Sequence, residues 1–295
     1  MQAPERRDRG LRRLLAWPAL LFVAVFFFVP IGLLMRVSVY EGGGRSGFGI
    51  GGMYTPGSWS TDSYRNLLGD GYFGELLLFT LRFGMSAAAI SVLLGFGLAL
   101  LIVRLPPTLR LLALCAVFLP KLANVLVIVY GLVLLLGDFG PVNSLLAPLR
   151  GDGLPLPLLH NFTGALIGEV YLILPYAVLL LVATLDRIPA LLLPAARGLG
   201  AGAFETFRRI TLPLCLPGLA TTFLLCLIFG IGAYVAPAIL GSPDEFTLSI
   251  DIQRQTFENL NWPRAAAESV MMLLCVGALC AGYGIGVAGV RRLAR

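Results

Sequence analysis

The sequence predicts an all-α polytopic membrane protein with six transmembrane helices. Its 295 residues are 58% hydrophobic and only 13% charged, whereas soluble domains carry about 25% charged residues. Apolar runs such as residues 14–35 and 269–290 contain no Asp, Glu, Lys or Arg. Each is longer than the roughly 18 residues that a helix needs to cross a bilayer. This composition argues against a soluble globular domain.

Hydropathy along the chain places the six spans in order. They are residues 14–36, 76–103, 111–136, 163–185, 214–240 and 266–290. The first follows a basic stretch, as a signal peptide does, but its apolar part exceeds the usual length of about 7–15 residues and no small-residue cleavage site follows. We therefore expect a retained first helix. The chain then divides into a tail, first helix and first loop (1–75), a helical core (76–290) and a C-terminal tail (291–295).

Basic residues predict the orientation of these spans. Fourteen of the 22 Lys and Arg residues fall in the N-terminal tail, the 104–110 loop, the 186–213 loop and the C-terminus. The opposite side has Arg36, Arg45, Arg65, Arg150, Arg254 and Arg264, spread over longer loops. The positive-inside rule therefore puts both termini and the 186–213 loop in the cytoplasm. The net charge of +6 then reflects topology and anionic lipid rather than nucleic-acid binding.

The 186–213 loop carries a glycine-punctuated segment between two apolar spans. Each of Gly198, Gly200 and Gly202 disfavours a continuous helix by roughly 1 kcal/mol relative to Ala. The spacing predicts two short elements separated by a break.

After that break, an apolar stripe indicates an amphipathic helix of about two turns. Phe204, Phe207 and Ile210 recur every three residues, as on one face of a helix. The neighbouring charged residues lie off the stripe: Glu205, Arg208 and Arg209. Such a helix either lies in the lipid interface or docks on a cytoplasmic partner.

The stretch AARGLGAGAFETFRRITLP, residues 195–213, resembles the EAA loop of inner-membrane permease subunits of binding-protein-dependent ABC importers. That loop reads E-A-A, three residues, Gly, nine residues, then I-x-L-P. The residues at this spacing are Ala195, Ala196, Gly200, Ile210, Leu212 and Pro213. The resemblance implies a coupling helix that docks on an ATPase subunit through Phe204, Phe207, Arg208 and Arg209. On this hypothesis, Phe207→Asp abolishes association with the ATPase.

This chain has Pro194 where the family has Glu. Because proline costs about 3 kcal/mol inside a helix, we expect Pro194 to start the second short helix at its first position. An ion pair of the family is then lost.

Four other segments, residues 119–146, 168–181, 232–241 and 261–270, are similar to parts of the spermidine/putrescine branch of these permeases. The resemblance implies the type I ABC importer permease fold in the inner membrane, with the first span outside a five-helix core. The implied partners are an ATPase dimer holding ATP and Mg, a second permease subunit, either paralogous or identical, and a periplasmic or surface substrate-binding protein. The chain itself is expected to bind no cofactor.

Ionisable and aromatic residues within the spans are the candidates for the substrate pathway, because a charge at membrane depth is costly. Glu169 and Tyr176 stand seven residues apart and share a helix face, where a carboxylate and a ring can receive an ammonium group. The further candidates are Tyr130, Tyr234 and Glu268. Alternatively, Glu169 pairs with Lys121 or Arg82, or bonds to another helix, and Glu268 lies at the lipid headgroups.

The substrate is expected to be a polyamine, with 2-aminoethylphosphonate, thiamine or another small solute as alternatives. Polyamine permeases commonly have arginine and tryptophan around the tyrosine of the third span, where this chain has Ile128 and Leu132. A less favoured class is an ion-coupled secondary transporter with broken helices.

No enzyme activity is predicted for this chain. The sequence has no phosphate-binding G-x-x-x-x-G-K-[ST] loop and a single histidine, His160, and its five cysteines lie in or beside apolar runs. Neither a metal site nor a set of catalytic groups is expected.

Overall fold

The computed structural model describes residues 5–42, 54–69, 71–146, 155–189, 191–243 and 246–293. Arg45, Arg150 and Arg295, which enter the orientation argument, lie outside these described residues.

The described part of the chain is helical apart from one small hairpin. The helices are α1 Glu5–Ser38, α2 Asp62–Gly69, α3 Tyr72–Ile102, α4 Pro107–Phe118, α5 Val125–Leu136, α6 Pro141–Leu146, α7 Phe162–Leu185, α8 Leu192–Gly198, α9 Ala203–Thr206, α10 Leu212–Ile231, α11 Val235–Leu240, α12 Leu248–Phe257 and α13 Trp262–Leu293. Strand β1 (Tyr40–Gly42) pairs antiparallel with strand β2 (Tyr54–Trp59).

Six helical stretches are long and apolar enough to cross a membrane, which confirms the predicted number. They are Leu20–Ser38, Tyr72–Ile102, Val125–Leu146, Phe162–Leu185, Ala203–Ile231 and Trp262–Gly289. An all-helical arrangement is what a bilayer demands, because a helix satisfies its own backbone hydrogen bonds.

Two of the predicted spans are not single helices. The predicted third span, residues 111–136, is broken by the 3₁₀ turn Leu119–Leu122, after which Asn124 caps α5 by accepting a hydrogen bond from the Leu126 amide. The predicted fifth span, residues 214–240, is interrupted at 232–234 between α10 and α11. Hydropathy misses both interruptions because it is averaged over about 19 residues, so the apolar helices on either side outweigh a break of a few residues.

The chain forms two compact units, and the first consists of residues 1–71 and 252–274. It holds α1, the hairpin and α2. The Tyr64 hydroxyl donates to Ser38 Oγ at 2.8 Å, which joins α2 to the end of α1. None of the membrane-length window of α1 is buried, so its apolar surface is left for lipid or another chain.

The second unit consists of residues 72–251 and 275–295, and its core is α3, α7, α10 and α11. Small residues let these helices approach closely, as membrane helices commonly do. A side-chain carbon at Gly230 would lie 2.8 Å from the Gly84 backbone, and one at Gly95 would lie 3.0 Å from Ala177 Cβ. Replacing these glycines would push α3 away from α10 and α7.

Side chains secure the irregular backbone of this unit. Asn143 is buried, and its amide nitrogen donates to the carbonyls of Leu136, Gly137 and Leu156 while its oxygen accepts from the Leu156 amide. Thr247 Oγ1 donates to the Ala233 carbonyl at the α10–α11 break. Such buried backbone groups are costly unless they are paired.

Candidate functional site

A cavity of about 220 Å³ lies in the second unit where two irregular stretches of backbone meet the middle of α7. These stretches are the 3₁₀ turn before α5 and the α10–α11 break. The lining residues are Lys121, Val125, Glu169, Leu172, Ile173, Tyr176, Phe229, Gly232, Ala233, Tyr234 and Val235. Non-helical backbone at membrane depth is tolerated where it is buried in protein or lines such a cavity.

Helix α7 supplies the carboxylate and one ring. Glu169 and Tyr176 are two turns apart, so both face the cavity. Glu169 is only 6% exposed. Pro175, inside α7, has no N–H to donate to the Tyr171 carbonyl one turn earlier.

The break between α10 and α11 supplies the second tyrosine. Tyr234 has non-helical backbone angles and precedes the first residue of α11. Its side chain lines the cavity together with Phe229 of α10. The Phe229 and Tyr176 rings stack with their centroids 5.2 Å apart and their planes 7° apart, which fixes an aromatic wall.

Lys121 brings a positive charge to the same wall. Its Nζ lies 5.0 Å from the centroid of the Tyr176 ring, within the range of a cation–π contact. Lys121 and Glu169 attract each other electrostatically. Of the two sequence-based partners for Glu169, Lys121 lines its cavity, whereas the Arg82 guanidinium lies over the Phe162 ring at 5.5 Å.

Three of the five predicted pathway residues, Glu169, Tyr176 and Tyr234, are therefore brought together. The other two lie elsewhere. Tyr130 is 59% exposed on α5, because its neighbour Val129 takes the buried side with Leu132 and Leu136.

Glu268 belongs to the first unit, where it is almost fully buried and accepts a hydrogen bond from Arg264 at 3.1 Å. Its carboxylate is therefore enclosed by protein rather than exposed to water, and its position at the level of the lipid headgroups stays a prediction. The sequence reasoning also left Phe229 out of the site, because aromatic residues are common in spans and nothing in its spacing distinguishes it.

The 186–213 segment folds around one left-handed glycine. Helix α8 ends at Gly198, Gly200 has φ +83°, and the Ala201 amide donates to the Ala196 carbonyl at 3.0 Å. This is the Schellman arrangement, in which a glycine just past the helix takes a backbone conformation that side chains disfavour. The motif's glycine thus has a defined geometric role, and the predicted break is confirmed.

The helix after the break differs from the prediction. Helix α9 passes through the π-helical turn Phe207–Thr211 directly into α10, so the expected two-turn helix is the start of a much longer one. Arg209 pairs with Glu205 at 3.2 Å on its exposed side. Pro194 stands in the first turn of α8, which begins at Leu192 rather than at the proline.

The predicted apolar stripe is divided between two environments. Phe204 is 75% exposed, whereas Phe207 is half-buried and its ring centroid lies 6.2 Å from that of Phe96 in α3. Two further apolar side chains of this segment are also exposed: Leu191 and Leu199, which stand before and after α8 in the sequence. We call Phe204, Leu191 and Leu199 the apolar rim.

A cleft of about 540 Å³ lies beside this segment, lined by residues at the ends of α3 and α7 and by residues of α8 and α9, including Arg104, Asp186 and Pro194. Asp186, directly after α7, pairs with Arg110 in the first turn of α4. This ion pair joins the end of α7 to the start of α4.

The class of this protein follows from its similarity to a known family. Residues 91–285 match the family of binding-protein-dependent transport system inner membrane components, and the chain belongs to that family.

Among relatives, the chain is 30% identical over 225 residues to the spermidine/putrescine transport system permease protein PotB of Escherichia coli (strain K12), covering 76% of this chain and 82% of the relative. It is 29% identical over 269 residues to the protein of the same name from Haemophilus influenzae, covering 90% and 91%.

Solved structures support the same fold. A bacterial ABC transporter that imports the acidic polysaccharide alginate contains a chain matching 98% of this one over 98% of its own length, with a TM-score of 0.68 and 19% identity. The MetNI methionine ABC transporter contains a chain that matches 73% of this one over 94% of its own length, with a TM-score of 0.58 and 16% identity. This chain is therefore an ABC importer permease subunit with six transmembrane helices.

Proposed function

We propose that this permease carries polyamines, such as spermidine and putrescine, through a pathway whose ammonium-binding group is Glu169. The observation that carries the proposal is a buried carboxylate in one cavity with Tyr176 and Tyr234. The names of the relatives at about 30% identity agree with this chemistry.

The cavity suits an alkylammonium group for two reasons. A carboxylate at membrane depth is costly unless a cation compensates it. The stacked rings of Tyr176 and Phe229 add a face that attracts an ammonium group and an apolar wall for methylenes. A polyamine combines charged nitrogens with short methylene chains, so its nitrogens can bind the carboxylate while its methylenes contact the rings.

Residues 186–213, which we call the coupling segment, are proposed to bind a separate ATPase dimer that holds ATP and Mg. The apolar rim supports this role, because exposed large apolar side chains are typical of protein interfaces. This role requires that the rim, like both chain termini, faces the cytoplasm. A substrate-binding protein would dock at the opposite end, and a second permease, paralogous or identical, would complete the pathway.

One observation favours a second candidate substrate. Lys121 gives the cavity a cation beside its carboxylate, and such a pair also fits a zwitterion such as 2-aminoethylphosphonate. Thiamine, a cation with aromatic rings, is the third ligand to compare. The broken α10–α11 stretch would also suit an ion-coupled transporter, but that reading leaves the coupling motif without a role.

ATP hydrolysis by the reconstituted complex tests the proposal. The permeases, ATPase and binding protein are placed in nanodiscs with spermidine, putrescine, 2-aminoethylphosphonate or thiamine. We expect spermidine or putrescine to stimulate hydrolysis and the other two to leave it at the basal rate. Stimulation by 2-aminoethylphosphonate alone would replace the polyamine with a zwitterion, and hydrolysis indifferent to all four ligands would remove the polyamine proposal.

A further inference from the structure

Lys121 occupies the position that a transported ammonium group would need. Its Nζ lies 5.0 Å from the Tyr176 ring centroid, and its charge interacts with that of Glu169. Its backbone belongs to a 3₁₀ turn that is followed by the helix cap at Asn124. The point from which the side chain extends is therefore held in place.

We propose that the Lys121 ammonium is a tethered occupant of the ammonium site, which an incoming amine must displace before it is carried through. The inference deepens the proposed function, because it takes Glu169 and Tyr176 as that site. Lys121 is then a specificity-determining residue: it admits ligands that bind the carboxylate and ring better than its own ammonium does.

The charge balance of the cavity explains why such an occupant is useful. Without Lys121, the resting cavity would hold a nearly buried carboxylate with no cation beside it among the lining residues, an expensive state at membrane depth. With Lys121 in place the cavity is neutral at rest. A substrate ammonium that replaces Lys121 keeps that neutrality at Glu169.

The surroundings provide room for the exchange. Lys121 also lines an adjoining cavity of about 170 Å³, together with Ala116, Val117, Ile128 and Pro175. Because the lysine stem is unbranched and flexible, its end can move from the Tyr176 ring toward this second space. The backbone anchor need not move.

Competition by Lys121 can be measured through the apparent affinity for the transported amine. A ligand that binds only the fraction of molecules with an empty site has its apparent dissociation constant raised by the inverse of that fraction. If Lys121 fills the site nine tenths of the time, its removal lowers the apparent KM for the transported amine about tenfold.

The first experiment measures uptake and stimulated ATP hydrolysis by the whole complex with Lys121→Met and Lys121→Gln. We expect the KM for spermidine or putrescine to fall about tenfold. Arg82→Met is the matched control, because it removes a cation 5.5 Å above a ring, that of Phe162, outside the cavity. Its KM should equal that of the unmodified protein. An unchanged KM in the Lys121 variants, or a raised one that marks a contact with an anionic part of the ligand, would overturn the inference.

A second experiment does not depend on which substrate is transported. Lys121→Ala removes three methylenes and the ammonium, which are the heavy atoms of n-propylammonium. We expect n-propylammonium to raise the melting temperature of the Lys121→Ala complex, whereas 1-propanol, similar in size but uncharged, leaves it unchanged. The unmodified complex should respond to neither compound.

The two experiments separate the inference from the proposed function. If the unmodified complex transports no polyamine but Lys121→Ala is stabilised by n-propylammonium, the substrate assignment fails and the tethered occupant stands. If polyamines are transported but Lys121→Ala gains nothing from n-propylammonium, the tethered occupant is refuted.

Discussion

Glu169 is the residue on which the chemistry of the proposed pathway depends. Its side chain is 6% exposed and lies in a helix that crosses the membrane, where ionisable groups are rare and usually functional. Lys121 compensates its charge at rest. A carboxylate that served only as half of a fixed ion pair would not need the stacked rings of Tyr176 and Phe229 beside it.

Glu169→Gln keeps the size of the side chain and removes its charge. Hydrogen bonds to charged groups contribute about 1.5–3 kcal/mol, so we expect the KM for polyamine uptake to rise roughly 10- to 100-fold. Glu258→Gln is the control, since it removes an exposed carboxylate that pairs with Arg254 at 3.5 Å and does not line the cavity. Uptake by Glu169→Gln with an unchanged KM would take this residue out of the pathway.

Gly200 has a backbone role that its substitution by alanine tests. A side-chain carbon there meets nothing within 4 Å, but φ is +83°, a conformation that costs an L-residue about 1–2 kcal/mol. Gly200→Ala should therefore lower the melting temperature of the permease and weaken ATPase association. Gly202→Ala, also in open space but with φ −68°, should leave both unchanged. Equal effects of the two variants would contradict the left-handed role.

At the residue scale, the sequence identifies the charged group of the site, because charged residues are rare within membrane spans. Glu169 and its ring partner Tyr176 followed from charge at membrane depth and helical spacing, and both line the cavity. It could not find Phe229, because only the meeting of α7 with the α10–α11 break makes that ring part of a wall. It could not show that Tyr130 lies outside this cavity, because hydropathy does not tell which side of a uniformly apolar helix is buried; a role for Tyr130 in the pathway stays a prediction.

Among the elements, the helices that are broken matter more than those that are continuous. Spans were predictable because apolar length is a strong signal, and six of them are present. The interruption at 232–234 is held by a partner remote in sequence, through the hydrogen bond from Thr247 to the Ala233 carbonyl. The interruption at 119–124 carries local signals, Pro120 and the helix cap at Asn124, which hydropathy does not read. The β1–β2 hairpin in the first loop was missed because its strands are short and far apart in sequence.

The coupling segment offers a test of its exposed surface. Phe204→Asp places a charge on the apolar rim, where the parent ring is 75% exposed, so we expect a folded permease that no longer co-purifies with the ATPase. Phe207→Asp should instead lower the melting temperature, because that ring packs near Phe96. Phe204→Leu, which stays apolar, is the control. Normal co-purification of Phe204→Asp would show that the ATPase binds elsewhere.

At the scale of the whole molecule, the described residues do not close the cavity. Phe229 and Tyr234 are 45% and 40% exposed although they line the cavity, so the site is open toward a surface that this chain does not cover. The exposed side of α5, with Val127, Tyr130 and Leu134 at helical spacing, is likewise apolar. A second permease facing these residues would close the cavity and complete the binding site.

The orientation of the whole chain is the remaining prediction. Leu199, 90% exposed beside the coupling glycine, and Trp59, 72% exposed in the hairpin, are predicted to lie on opposite sides of the membrane. The single variants Leu199→Cys and Trp59→Cys are made with the exposed Cys115 and Cys280 replaced by Ser, and cells are treated with a membrane-impermeant maleimide. We expect Trp59→Cys to be labelled in intact cells and Leu199→Cys only after the membrane is opened, because positive loops stay in the cytoplasm. Labelling of Leu199→Cys in intact cells would show that the chain has the opposite orientation, with the coupling segment on the side of the membrane that lacks ATP.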